Sequence, residues 1–372
     1  MRVTSVDLLR VKLPLVHAFR TSSHGKSSLE HILVKLTDAD GRESWGEIAS
    51  PAAPYYSGET TDTCWLMAER YLSPMLLGLD WEHPREVSAA FAKVRGNGFA
   101  KAGLDAAVWT LFADAQDVPL SAALGGSRTQ VESGVSLGIE DGIDALLEQV
   151  SLQVDHGYNR VKLKIAPGWD VDPVREVRDA FPEIDLQVDA NGAYRSEPDH
   201  LAALIALDEL GLQMIEQPFA PRALIAHAAL QQRIETPICL DESIDTVDDL
   251  ETALRLDAGR IVNIKVSRMG GLTAAIAAHD LALAEGIPAW CGGMHEFGVG
   301  RAVNVAIASL SGFTLTSDVS GSDKYYARDV TTAPIVAVKG MVAVPTDAGL
   351  GFTVDQAWVG ENTVQSARVL AG

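Results

Sequence analysis

RVKLKI (residues 160–165) and DLQVDA (residues 185–190) are the segments on which the fold turns. Alternate side chains of an extended strand share a face. In the first segment Val161, Leu163 and Ile165 form an apolar face, leaving Lys162 and Lys164 together on the other. In the second, the polar face carries Gln187 and Asp189. Ionisable groups on the inner face of a strand are costly to desolvate unless they are paired or bind a metal.

The pattern repeats outward from these two. SGVSLG (133–138), LQMIEQ (212–217), PICLDE (237–242), RIVNIKV (260–266), IPAWCGG (287–293) and FTLTSD (313–318) bring the number of short apolar runs to eight, separated by helical segments. Eight is the strand number of a closed β/α barrel. The fold class predicted is α/β, a (β/α)7–8 TIM-like barrel. The inward sets continue as Met214 and Glu216, Cys239 and Asp241, Asn263 and Lys265. Lys164, Asp189, Glu216, Asp241 and Lys265 follow one another at intervals of 25, 27, 25 and 24 residues. Each closes the C-terminal end of its strand, where barrel active sites are built. A chain of buried salt bridges without chemistry is the competing explanation.

A plain barrel needs about 250 residues, and the chain has 372. Residues 1–125 begin with strand-like VTSVDLLRVKL, EHILVKLTDADG and ESWGEIA. Helical patterns follow in TDTCWLMAERYLSPML, HPREVSAAFAKVR and AKAGLDAAVWTLFADAQ, which together predict an α+β capping domain. Residues 126–325 are assigned to the barrel, with the metal and catalytic residues. Residues 326–372, containing PIVAVKGMVAVP, are expected to pack back on the capping domain.

Composition narrows the function. Thirty basic against fifty acidic residues leave a net charge of −20, which argues against nucleic acid or an anionic membrane as partner. No run of eighteen uncharged apolar residues offers a membrane span. The opening MRVTSVDLLRVKLPLV alternates like a strand and lacks the apolar core of a signal peptide. Cys64, Cys239 and Cys291 are far apart and odd in number, as suits a reducing cytoplasm. No GxGxxG or P-loop pattern stands before a helix in a suitable place.

Asp189, Glu216 and Asp241 come from adjacent strands, and three ionised carboxylates at close range repel unless a cation lies among them. All-oxygen ligands favour Mg2+ or Mn2+. Lys164 and Lys265 flank this group from opposite sides of the barrel. Lys162 is expected to tune Lys164, since like charge and desolvation both depress a lysine. Moving ~10.4 to about 7–8 takes roughly 3–4 kcal/mol. A metal chelating a carboxylate stabilises the ene-diolate formed when the adjacent carbon loses its proton. Two bases on opposite faces permit racemisation, and one base with an opposing cation permits elimination. The alternative from a different mechanistic class, a Schiff-base aldolase using either lysine, leaves the three carboxylates unexplained.

The segments KLKIAPGWD, QVDANGAY, IEQP, TPICLDESI, IVNIKVSRMGG and WCGGMHEFGVGRAVNVAIASL resemble those of the enolase superfamily. The likeness narrows to its muconate-lactonizing branch and to the o-succinylbenzoate synthase / N-acylamino acid (N-succinylamino acid) racemase family. LPLVHAFRTS and GEIASPAAPYYSGE resemble the capping loops, so the likeness covers nearly the whole chain. It implies Lys164 and Lys265 as catalytic lysines, and Asp189, Glu216 and Asp241 as ligands of Mg2+. Arg268 matches an arginine frequent in members that racemise acylated amino acids. A small carboxylate substrate and a homo-oligomer are also implied, with a cycloisomerase or a dipeptide epimerase of the same branch as alternatives. Ser136, Asn191, Gly293, Met294, His295 and Phe297 are the expected substrate-binding residues. Gly192, His295 and Phe297 depart from the family pattern, and a large Phe297 beside a small Gly192 suggests a reshaped pocket. Thr21, Ser22 and His24 can form a lid or a plain turn.

Overall fold

The computed structural model describes residues 1–20 and 25–371. The expected lid residues Thr21, Ser22 and His24 lie outside the described residues. Three long strands open the chain: β1 (Val3–Arg20), β2 (Gly25–Asp38) and β3 (Glu43–Ile48). They pair antiparallel in chain order, and the turn signal Asp40-Gly41 joins β2 to β3, with Gly41 at φ 82°. The helix Gly98–Ala115 lies against this sheet, apolar on almost every side because the barrel covers its other face. The approach is close enough to require glycine. A Cβ at Gly46 of β3 would stand 2.1 Å from the carbonyl of Gly103.

A short strand β4 (Gln130–Glu132) precedes the barrel. The barrel strands are β5 (Val135–Leu137), β6 (Arg160–Lys164), β7 (Asp185–Asp189), β8 (Ile215–Glu216), β9 (Ile238–Leu240), β10 (Ile261–Ile264) and β11 (Ala289–Cys291). All are parallel, neighbours in space as in sequence, and each is followed by a helix. The helix after β9, Val247–Arg255, begins where its sequence caps it. Thr246 accepts from Asp249 N at 3.2 Å, and Asp249 Oδ2 accepts from Thr246 N at 2.9 Å.

The eighth expected strand, FTLTSD, is a correction. Among the described residues the parallel sheet has seven strands, and residues 313–318 close the ring through isolated bridges. Phe313 bridges Ala289 and Ser317 bridges Ser133, one contact to each side of the seam. The small polar run Thr316-Ser317-Asp318 spends its hydrogen-bonding groups on the seam instead of on a ladder. Ser317 Oγ, for instance, accepts from Cys291 N at 3.1 Å.

The tail divides. Strands β12 (Ala337–Val338) and β13 (Met341–Ala343) form a hairpin that pairs with β4, beside the barrel and not on the capping sheet as expected. Only the last strand, β14 (Thr363–Leu370), returns to the capping sheet, along β1. Cys64, Cys239 and Cys291 are all buried and unpaired. No described helix is long and apolar enough to cross a membrane.

Candidate active site

Parallel pairing sets the polar ends of the strands beside one another. Lys164 of β6 is level with Asp189 of β7, and Asp189 with Glu216 of β8. Glu216 in turn is level with Cys239, so Asp241 stands two residues further on, just past the end of β9. Lys265 follows the end of β10 and opens a single helical turn, Val266–Met269, that carries Arg268. The floor beneath is apolar: Met214, Cys239, Ile261 and Trp290 cluster inside the barrel. The Lys162 ammonium lies 4.6 Å from the Trp290 ring centroid.

Each carboxylate faces a cation. Lys164 Nζ donates to Asp189 Oδ2 and, at 2.8 Å, to Asn191 Oδ1. Glu216 accepts from Lys162 Nζ at 2.9 Å and from Asn263 Nδ2 at 2.8 Å. Asp241 accepts from Lys265 Nζ at 2.7 Å and from Arg268 Nη1. Among the described residues no three acidic, His or Cys side chains form a ready metal cage. The direct pairing of carboxylate with ammonium explains why: the cations on neighbouring strands occupy the carboxylate oxygens.

The residues still fit a hard cation. Asp189, Glu216 and Asp241 are essentially inaccessible to solvent, and their donor set is all oxygen. Burial, and then the charge of Asp189, push the Glu216 carboxyl up to about 8, against the opposing pull of Lys162. Glu242, which sequence reasoning missed, is raised to about 7 by burial and by Asp241 and Asp189. Its Oε1 accepts from Asn191 Nδ2 at 2.8 Å, while its buried Oε2 has no partner. The cluster therefore has acceptor capacity that its own amines do not fill. Asp241 differs: burial would raise it, but Lys265 and Arg268 outweigh that and hold it below the usual carboxylate range.

Lys162 does not act on Lys164 as an unpaired like charge. Burial pushes its ammonium down, but Asp318, Glu216 and Asp189 outweigh burial and leave it above the ordinary lysine range. Arg268 is buried and sits directly on Asp241. Tyr56, from the capping-domain loop, accepts from Lys265 Nζ at 3.0 Å and Arg268 Nη1 at 2.9 Å. Burial and Asp241 raise the Tyr56 phenol above its ordinary value.

A cavity of about 320 Å3 opens over this group, with Lys164, Asp189 and Lys265 in its wall. Ser136, Asn191, Gly293, Met294 and His295, read in the sequence as substrate-binding residues, also line it. Asn191 (φ 44°) and His295 (φ 63°) hold left-handed backbone, as does Gln217 (φ 40°) after Glu216. Such strain persists only where the surroundings fix it. Gln217 is fixed by accepting from Asp241 N at 2.9 Å and donating to Ser243 Oγ at 2.8 Å, so it ties the end of β8 to that of β9.

Phe297 is a correction. It is fully buried, with its ring 4.8 Å from His31 and 5.3 Å from Tyr326, and it does not line the cavity. Gly192 packs at φ 73° against the Phe219 carbonyl, also away from the wall. The supposed exchange of size between Gly192 and Phe297 therefore does not shape the pocket. Of the three departures only His295 reaches it, stacked on Tyr325 at 4.8 Å. Tyr56, Glu242 and Asp318 were all missed. Asp318 closes the eighth apolar run at the same strand-end position as the other acids, a signal the sequence carried.

Residues 145–358 match the family described as enolase C-terminal domain-like, and residues 3–125 the mandelate racemase / muconate lactonizing enzyme N-terminal domain. The chain belongs to the enolase superfamily. It is 45% identical over 369 residues to an o-succinylbenzoate synthase of Geobacillus kaustophilus, covering 99% of this chain and 98% of that one. It is 44% identical over 371 residues to an N-succinylamino acid racemase of Amycolatopsis sp, covering 97% and 100%. The crystal structure of an enolase-superfamily member from Listeria innocua superposes with a TM-score of 0.96 at 35% identity, each chain covered completely. The chain is an enzyme, and superfamily members generally pair a lysine or histidine base with Mg2+.

Proposed function

We propose that this enzyme removes the proton α to a carboxylate, returning one to the carbon when it acts on N-succinylamino acids as a racemase, losing water when it acts on the precursor of o-succinylbenzoate as a dehydratase, or doing both. The observation that carries this is the presence of two buried lysines in one cavity wall, from β6 and from the end of β10, on opposite sides of the strand ring. Each rests on a different carboxylate, Asp189 or Asp241. In this assignment Lys164 takes the proton from one face of the α-carbon and Lys265 delivers one to the other. In dehydration Lys164 takes the α-proton and its ammonium gives that proton to the β-hydroxyl as the Cβ–O bond breaks and water leaves, while the charge of Lys265 faces the developing anion.

Asp189, Glu216 and Asp241 would hold a divalent cation, Mg2+ or Mn2+, which supplies charge stabilisation for the carboxylate dianion. Arg268 and Tyr56 orient Lys265 and Asp241. Ser136, Asn191, Gly293, Met294 and His295 bound the space for the acyl group and side chain. Names of relatives at 44–45% identity support both substrate classes, and the buried, unpaired cysteines support a cytoplasmic setting.

The test is exchange of the α-proton of N-succinylamino acids with deuterium from solvent, with Mg2+ and again with EDTA. Turnover of the cyclohexadiene precursor is followed separately. Metal-dependent exchange, lost from one enantiomer in Lys164→Ala, is the expected result. Exchange that survives EDTA, or that persists from both enantiomers in Lys164→Ala, would overturn the proposal, as would borohydride trapping of a covalent lysine adduct.

A further inference from the structure

Each ammonium that rests on a proposed cation ligand also has an acceptor outside that trio. Lys164 Nζ donates to Asn191 Oδ1 at 2.8 Å, and Lys265 Nζ to the Tyr56 hydroxyl at 3.0 Å. Lys162 Nζ lies 2.9 Å from Glu216 Oε2 and 3.8 Å from Asp189 Oδ2, so it presses on two of the three ligands at once. Its outside acceptor is a full carboxylate. Asp318 Oδ2 accepts from Lys162 Nζ at 2.7 Å, and neither the proposed chemistry nor the proposed ligand set uses Asp318.

Asp318 is fixed independently of Lys162. It ends the segment that closes the barrel seam, where its N–H donates to Cys291 O at 2.9 Å. Its Oδ1 accepts from Nη2 of the inaccessible Arg160 at 2.5 Å, and that nitrogen also donates to Thr316 O at 3.3 Å. Glu216, by contrast, has both oxygens engaged, Oε2 by Lys162 and Oε1 by Asn263 Nδ2. For Glu216 to offer Oε2 to a cation, Lys162 must release it. A buried ammonium left without an anion is costly, and Asp318 is the anion that stays beside it. Without Asp318, among the described residues, the ammonium has only Glu216 and Asp189 within ion-pair distance and competes for both.

We propose that Asp318 is a positioning residue that sets the affinity for the divalent cation from outside the ligand set, by holding the Lys162 ammonium off Glu216 and Asp189. This rests on the ligands proposed above and adds what governs their availability. It also accounts for an acid at the end of a segment that bridges without laddering. The seam delivers a carboxylate to the far side of Lys162, where no strand of the parallel sheet ends in one.

Calorimetric titration of the metal-free, full-length enzyme with Mg2+, in the absence of substrate, tests this apart from turnover. Asp318→Asn should weaken binding, and by at least about tenfold more in the parent than in a Lys162→Met background, where no ammonium competes. Tenfold is about the size of one charge-assisted hydrogen bond. Equal weakening in the two backgrounds would overturn the inference, since Asp318 would then act through its own charge or through the fold. Asp318→Glu is the second variant and leaves Lys162 in place. The Asp318 side chain is 16% exposed in the cavity wall, with room for one more methylene. Binding in Asp318→Glu should return to within about threefold of the parent. A loss there equal to that of Asp318→Asn would overturn the inference even if Lys162→Met fails to fold. Absence of Mg2+ binding by the unsubstituted enzyme would strike the proposed ligands and this inference with them, whereas parent binding that Asp318→Asn leaves unchanged would strike the inference alone.

Discussion

Replacing Phe297 with alanine should cost stability and leave specificity alone. The ring is fully buried between His31 and Tyr326, at 4.8 and 5.3 Å. A buried Phe hides roughly 150–250 Å2, which at about 25 cal/mol per Å2 is about 4–6 kcal/mol gross. Alanine retains a fraction of that, while the lost ring contacts and the cavity left behind restore some of the difference, so about 3–5 kcal/mol is expected. The pocket should survive because the backbone beside the ring is held independently. Glu47 Oε1 accepts from Phe297 N at 2.8 Å, and Glu47 Oε2 accepts from Gly300 N at 2.7 Å. Urea unfolding gives the first quantity. The ratio of kcat/KM for N-succinylalanine and N-succinylphenylalanine gives the second, and it should move less than about twofold, under 0.5 kcal/mol. A variant within about 1 kcal/mol of the parent in stability but tenfold altered in that ratio would refute this reasoning and return Phe297 to the pocket wall.

Lys164→Ala and Lys265→Ala should each abolish α-proton exchange from one enantiomer, by about 10^2-fold or more; loss from the same enantiomer in both variants would contradict the opposed placement. Asp241→Asn should weaken Mg2+ binding in calorimetry, and because it strips Lys265 and Arg268 of their shared carboxylate it should also lower the unfolding midpoint; unchanged values of both would remove Asp241 from the proposed metal site. Asp105 gives a pH test. Burial raises this inaccessible carboxyl to about 7, with hydrogen bonds from Thr273 opposing. Between the unfolded value near 4 and about 7 the folded state holds the extra proton, so stability declines as pH rises through that window, by at most about 4 kcal/mol. Asp105→Asn should flatten that decline in unfolding measurements at pH 5 and 8, and an unaltered slope would show that Asp105 is not its source.

Much of the site was readable because β periodicity is rigid. Once Lys162 and Lys164 share a face, the inward residue of each later strand follows from counting by two, and Lys164, Asp189 and Glu216 do fall in one row. The seam was not readable. FTLTSD has the composition of a strand, but whether it ladders or only bridges depends on partners at both edges of the sheet, which periodicity does not encode. Phe297 and Gly192 were misplaced for a related reason. Adjacency to a strand end fixes distance from the mouth and leaves open whether a side chain turns toward the cavity or toward the capping sheet. Tyr56 was quoted within a capping loop, and only the folded arrangement brings it, 209 residues from Lys265 in sequence, onto that lysine.

Those long-range contacts tie the capping domain to the candidate site as well as covering it. Tyr56 reaches down to Lys265 and Arg268. His31 Nδ1 and Glu47 Oε1, from β2 and β3, are 2.7 Å apart, and Glu47 accepts two backbone N–H groups where the helix Gly298–Ala308 begins. That helix start follows the loop bearing Met294 and His295. Burial, then the charge of Glu296, raise Glu47 well above the ordinary glutamate range, against the pull of those two N–H groups. Desolvation has therefore been accepted in order to span two domains with one side chain. A barrel presenting its lysines and carboxylates alone would have the proposed acid–base groups in place. The loop of Met294 and His295 in the cavity wall and the Lys265–Asp241 pair, however, would be held from one side only, so substitutions in β2 and β3 are expected to alter substrate preference.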